Sequence, residues 1–180
     1  MSGITQPYIS ELEQEAKATR RVLERVPADK LDWQPHPKSM KLGQLALHVA
    51  NLPAAFSRMG RLDSFDVSQA KFSPPMPESV DELVPALETG VADARAFLSE
   101  LDETTAFAPW RFTHGERELM TLPRLGLVRT LMFNHMYHHR GQLVVYLRML
   151  DVPVPSVYGP SADENPFAAQ PTVSAVAVEV

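Results

Sequence analysis

Two histidines, His135 and His139, lie four residues apart within an apolar helical pattern, and this pattern constrains the fold more than any other feature. Its members recur at alternating three- and four-residue spacing, which places their side chains along one face of a helix. A mostly apolar helix face packs against partner helices. The positions that follow this spacing are Leu125, Val128, Met132, His135, His139, Gln142, Tyr146 and Met149.

Metal binding is one way to satisfy a histidine pair on a buried face. A buried polar group without a partner costs about 1 to 3 kcal/mol, so each imidazole must bind a protein group or a ligand. Side chains at positions i and i+4 of a helix are neighbours, and both rings can reach one ion. The pattern therefore favours a metal site at His135 and His139. Met132, Tyr146 and Met149 are expected to pack in the core.

The composition limits the classes of protein to consider. The chain has 180 residues and a formal net charge of −5, typical of one soluble globular domain. It has no cysteine, which excludes disulfides, thiolate zinc sites and a thiol nucleophile. No segment has the roughly 20 apolar residues that cross a bilayer, and the first residues do not resemble a secretory signal. We therefore expect a cytoplasmic protein without a membrane partner. We also expect no nucleic-acid partner, because its basic residues are scattered.

Helical spacing recurs in three earlier segments. The first ends at Pro27, the second follows Ser39 as its expected N-cap, and the third begins with the capping box of Ser79 and Glu82. Four amphipathic helices predict an all-α fold, a four-helix bundle. The helices are expected at 9–26, 39–59, 79–101 and 121–150.

The connections between these helices are long. Residues 61–77 and 102–120 can each cross the bundle, and the second connection is expected to include a small hairpin around His114-Gly115, between helices 3 and 4. We expect a single domain over 1–164 and a flexible tail over 165–180.

A third metal ligand is needed, since catalytic zinc sites usually have three protein ligands. His36 and His114 lie in loops, and His138 is expected to flank the site. His48 lies on the apolar row of the second helix and is the best candidate. Gln142 follows the pair by one turn and could support a ligand through a hydrogen bond.

Three segments of the sequence carry a family resemblance: His-Met-Tyr-His-His-Arg-Gly-Gln at 135–142, Pro-Ser-Val-Tyr-Gly-Pro-Ser-Ala-Asp-Glu at 155–164, and the stretch from Trp33 to His48. Together they resemble the DinB family of DinB/YfiT-like metalloenzymes. The resemblance implies a four-helix bundle with a crossover connection, often a homodimer. It also implies one divalent ion held by His48, His135 and His139.

The resemblance implies several reactions on a small-molecule substrate, and of these we expect thiol-dependent S-transfer, with hydrolysis as the alternative. In a thiol-dependent S-transferase or isomerase, a low-molecular-weight thiol would bind the ion; in a hydrolase, metal-activated water would cleave an ester or amide. A metal-binding stress protein without turnover is a further alternative. Imidazole ligands suit zinc and nickel, and also iron.

A proton acceptor and an orienting group are expected near the ion. Tyr158, Asp163 and Glu164 are the candidates if the coil after the fourth helix folds back over the site. The alternative is that this coil only caps the helices.

Overall fold

The structure is a computed structural model that describes residues 3–70 and 74–168. Four long helical segments form its framework: α1 (Gln6–Leu23), α2 (Leu42–Gly60), α3 (Leu83–Glu100) and a fourth that contains α5 (Arg124–Leu127) and α6 (Asn134–Met149). A separate helix, α4 (Glu103–Phe107), is short. A π-helical turn, Val128–Phe133, joins α5 to α6 in one continuous helical segment.

Local capping contacts lie at the start of α2 and at the start of a 3-10 turn, Val80–Glu82, that leads into α3. Ser79 and Glu82 form the predicted capping box, in which the Ser79 hydroxyl accepts from the Asp81 amide and the Glu82 carboxylate accepts from the Ser79 amide. For α2, the prediction of Ser39 as N-cap is wrong. Lys41 is the N-cap, and its amide donates to the side chain of Gln44.

The prediction of an all-α fold is wrong, because the chain also forms a three-stranded mixed sheet. Its strands are β1 (Ser64–Asp66), β2 (Pro109–His114) and β3 (Arg117–Pro123). The expected hairpin is present: β2 pairs antiparallel with β3, and Gly115 supplies the positive φ of the turn. However, β1 pairs parallel with β2, so the first connection belongs to the sheet.

A buried arginine explains why β1 forms. The Arg124 guanidinium donates to the carbonyl oxygens of Gly60 and Leu62, and it lies 2.9 Å from the Asp63 carboxylate. These contacts fix the chain just after α2 and place the next residues beside β2. Trp110 of β2 is fully buried, and its indole N–H donates to the Met59 carbonyl at 3.1 Å. The sheet therefore closes the end of the helices that contains the C-terminus of α2.

Packing between the helices brings α2 and α6 together. Both α1 and α2 contact α3 and α6, so the four long segments surround a common core. One part of the core lies towards the sheet, around Phe97, Trp110 and Phe133, and the other lies around Leu42, Leu83 and Leu143. The contact between α2 and α6 places His48 opposite the histidine pair.

The coil after α6 packs along α1 and α6 up to residue 164. Of the tail predicted for 165–180, only 165–168 lie within the described residues, where the Ala168 amide donates to the Asn165 carbonyl. None of the helices in the described ranges combines the length and apolar character that a bilayer crossing requires.

Candidate metal centre

The π-helical turn changes which residues of the fourth segment are buried. A π turn has an i→i+5 hydrogen-bond pattern and therefore rotates the side chains that follow it relative to an uninterrupted α-helix. Val128 and Met132 are buried as predicted, but Met149 is 55% exposed, so its assignment to the core is wrong. His135 and His139 are half-buried beside the core. The buried residues of α6 are Met136, Arg140, Leu143 and Leu147.

His48, His135 and His139 form one cluster at the contact between α2 and α6. Each offers a ring nitrogen, and the three nitrogens lie within 4.8 Å of one another. The His48 ring centroid is 4.6 Å from that of His139, and the His135 and His139 centroids are 4.5 Å apart. The structure thus brings together the three histidines that the sequence analysis selected as metal ligands.

The spacing of the nitrogens fits a shared divalent ion. His48 Nε2 and His135 Nε2 are 3.4 Å apart. Two imidazole nitrogens bound tetrahedrally to one zinc ion are separated by roughly 3.4 Å, given a zinc–nitrogen distance of about 2.1 Å. The group contains no carboxylate, so the residues present match an ion that prefers imidazole ligands.

Burial keeps these imidazoles neutral, which is the form that binds a metal. Desolvation lowers the pKa of His48 to about 4, and the neighbouring histidines lower it further in the same direction. Desolvation also lowers the pKa of His135 to about 4. The pKa of His139 is lowered by burial too, although its hydrogen bond to Gln142 opposes this shift. At neutral pH, protons therefore compete weakly for the three ring nitrogens.

Gln142 and His138 both lie next to His139. His139 Nδ1 is 2.7 Å from Gln142 Oε1, and the His138 ring centroid is 4.8 Å from that of His139. A proton on Nδ1 donated to the amide oxygen would leave Nε2 of His139 for a metal. Gln142 and His138 thus flank His139 as expected. That either residue supports metal binding remains a prediction.

Phe56 is a neighbour of the cluster that the sequence analysis did not select. Its ring centroid is 5.6 Å from that of His135, and its side chain is buried. Phe56 lies eight residues after His48 on α2, which is the same helix face. That spacing could have indicated an aromatic side chain beside the histidines, but it is equally typical of ordinary core packing.

The structure places Tyr158, Asp163 and Glu164 in contacts away from the three histidines. The Tyr158 hydroxyl donates to the Glu15 carboxylate at 2.7 Å, Asp163 pairs with Arg148, and Glu164 pairs with Arg21. Within the described ranges, no hydrogen bond joins any of the three to a histidine. Their catalytic role remains a prediction, whereas their contacts fasten the coil to α1 and α6.

Arg140, the neighbour of His139, points to α1 while the histidines point to α2. Its guanidinium donates to the Glu15 carboxylate at 2.7 Å and to the Thr19 hydroxyl at 3.0 Å, and it also contacts the Tyr158 hydroxyl. Arg140 is 2% exposed and Glu15 is 5% exposed. This buried ion pair fixes the orientation of α6 against α1, and the sequence analysis did not identify it.

Solved structures share this fold. A DinB-like protein from Bacillus cereus is 22% identical, with a TM-score of 0.67, over 84% of this chain and 95% of the other. A DinB-like protein from Bacillus subtilis is 20% identical, with a TM-score of 0.62, over 83% and 96%. A DinB-family protein from Exiguobacterium sibiricum is 18% identical, with a TM-score of 0.63, over 87% and 98%.

No curated protein matches this chain. The sequence model of the DinB family matches residues 1–170, which is nearly the whole chain and includes all three clustered histidines. The chain therefore belongs to the DinB family.

Proposed function

We propose that this chain is a metal-dependent enzyme that acts on small molecules by thiol-dependent S-transfer. One observation carries the proposal: three histidine nitrogens from two helices lie within 4.8 Å of one another, in a group without a carboxylate. A divalent ion held there would supply Lewis acidity and lower the pKa of a thiol or of water bound to it.

The charge of the ligands favours an anionic partner for the ion. Three neutral imidazoles contribute no negative charge, so the site would retain the full double charge of a divalent ion. A thiol that loses its proton at the site gains more from this charge than a neutral ligand does. Zinc and nickel both suit the imidazole set, and iron is a further candidate.

The surrounding residues have separate roles in this proposal. His48, His135 and His139 hold the ion, and Gln142 fixes the orientation of the His139 ring through Nδ1. The Phe56 ring limits water on the His135 side of the cluster. The three half-buried histidines would supply only three protein ligands, whereas an ion with a purely structural role is usually enclosed by four.

Hydrolysis is the second candidate function. The same group of ligands could activate water in place of a thiol, and this requires no residue beyond those already described. A metal-binding protein without turnover is the third candidate. We further propose that the protein works in the cytoplasm and that it forms a homodimer, the assembly that its family resemblance implies.

A screen of thiols tests the proposed reaction. The purified protein, loaded with zinc or nickel, is mixed with a panel of low-molecular-weight thiols and a model electrophile, and loss of free thiol is measured. We expect the wild type to accelerate the reaction of at least one thiol with the electrophile, relative to the reaction without protein. His135→Ala should not accelerate it. His114→Ala, which changes the exposed last residue of β2, is the matched control and should react as the wild type does.

Two outcomes would contradict S-transfer. If no thiol reacts faster while an ester substrate is cleaved in a His135-dependent manner, the enzyme is a hydrolase. If neither reaction is accelerated although the metal is bound, the protein binds metal without turnover.

A further inference from the structure

A groove between α1 and α3 is separate from the metal centre and has no assigned role. It encloses about 570 Å³, a volume within the range of roughly 300 to 1,000 Å³ that is usual for small-molecule sites. None of the three clustered histidines lines it. Its apolar lining consists of Ala16, Leu87, Val91, Ala92 and Ala96.

Two ion pairs cross this groove from α1 to α3. Arg20 pairs with Glu88 at 2.5 Å, and Glu13 pairs with Arg95 at 3.5 Å. The α1 members of these pairs are seven residues apart, about 10 Å along the helix. Small alanine side chains lie between the two pairs, which is why the helices leave a hollow there.

Among the described residues that line the groove, Lys17 is the one charged side chain that forms no ion pair. It lies on α1 between Glu13 and Arg20, its side chain is exposed, and its ammonium has no hydrogen bond or ion pair to any described residue. The other four charged side chains cancel in pairs. The groove therefore combines an apolar floor with one uncompensated positive charge, although the whole chain is acidic.

We propose that the groove binds a small amphiphilic anion, a compound with an apolar body and one carboxylate. The apolar body covers the alanine and aliphatic floor, and burial of this surface supplies most of the affinity. The carboxylate lies beside the Lys17 ammonium, which selects anions over cations of the same shape. This inference does not depend on the proposed function of the metal centre.

Calorimetric titration with decanoate, below its micelle concentration, tests the proposal. We expect the wild type to bind decanoate and to bind decyltrimethylammonium more weakly. Lys17→Gln should weaken decanoate binding about threefold at low salt, the range of one exposed ion pair. Ala92→Trp should remove detectable binding, because Ala92 is exposed and the indole would occupy the groove without disturbing the core.

Matched controls separate the groove from other surfaces. Lys38→Gln and Thr89→Trp change exposed residues that do not line the groove, and both should bind decanoate as the wild type does. His135→Ala should also bind normally, which excludes the metal centre as the decanoate site. Circular dichroism verifies that each variant is folded.

Two results would overturn the proposal. The first is an absence of decanoate binding by the wild type, and the second is equal binding by wild type and Ala92→Trp. If the wild type does not bind decanoate and Ala92→Trp changes the oligomeric state, the groove is instead a contact between two copies of the chain.

Discussion

His139 Nδ1 lies 2.7 Å from Gln142 Oε1, three residues further along α6. This hydrogen bond can fix both the orientation of the ring and the nitrogen that remains available to a metal. Partners of this kind typically contribute a factor of about 10 to 100 in metal affinity. We therefore expect Gln142→Leu to weaken zinc binding by about that factor, as measured by competition with a chromophoric chelator.

Gln14→Leu is the control for this prediction. Gln14 is an exposed glutamine on α1 and does not contact the histidines, so this variant should bind zinc with wild-type affinity. Equal affinity in Gln142→Leu and wild type would show that the amide does not support the ligand.

The stability of the metal-free protein should depend on His48 in weakly acidic solution. Burial lowers the pKa of His48 to about 4, whereas the same side chain in the unfolded chain titrates near 6.5. As pH falls from 6.5 towards 4, the unfolded state binds a proton that the folded state does not, so folding becomes less favourable. Above pH 6.5 both states are neutral, and this effect is absent.

His48→Asn removes this titration and provides the comparison. With a chelator present, the melting temperature of the wild type relative to His48→Asn should decrease between pH 7 and pH 5. A constant difference between the two proteins across this range would mean that His48 titrates normally in the folded state.

Loss of the buried arginine on α6 should destabilise the fold strongly. Arg140→Leu leaves the Glu15 carboxylate buried without its partner, which costs about 3 to 5 kcal/mol. The double variant Glu15→Leu with Arg140→Leu removes both charges and should lose less stability than Arg140→Leu alone. Urea unfolding measures both, and a double variant that is less stable than Arg140→Leu would argue against the buried charge as the cause.

Substitution by alanine should change the stability of the fold in opposite directions at two glycines, Gly60 and Gly141. A Cβ on Gly60 would overlap the buried ring of Phe97, so Gly60→Ala should lose about 1 to 3 kcal/mol of stability. Gly141 lies within α6, and a Cβ there has no atom outside its own helix within 4 Å. Gly141→Ala should gain about 0.5 to 1 kcal/mol from helix propensity. Destabilisation by both variants would contradict this difference in packing.

Periodicity predicted the long helices because this signal is local, whereas the predicted N-cap of α2, Ser39, was wrong. The Ser79 capping box and the turn at Gly115 are both present where the sequence placed them. The strand β1 was missed because Ser64–Asp66 is three residues long and has no apolar alternation. It depends on Arg124, whose guanidinium reaches back about 60 residues to the end of α2. Such long-range contacts leave no periodic pattern.

For the candidate site, the sequence predicted the clustering of the three histidines better than it predicted their surroundings. His48, His135 and His139 could be selected from helix spacing and from the family resemblance, and they form one group. The π-helical turn could not be predicted, because its hydrogen-bond pattern has no sequence signal among these residues. After this turn, the buried face of α6 includes Arg140, and Met149 is exposed. The sequence pattern had predicted an uninterrupted helix with Met149 on its buried face.

Metal analysis of the purified protein tests the three-histidine site most directly. After loading with zinc or nickel and removal of free ion, the wild type should retain about one ion per chain, and His36→Ala should match it because His36 lies in a loop. His48→Ala, His135→Ala and His139→Ala should each lose most of the bound metal while circular dichroism shows a folded protein. Retention of a full equivalent of metal by all three folded variants would contradict a shared ion at this cluster.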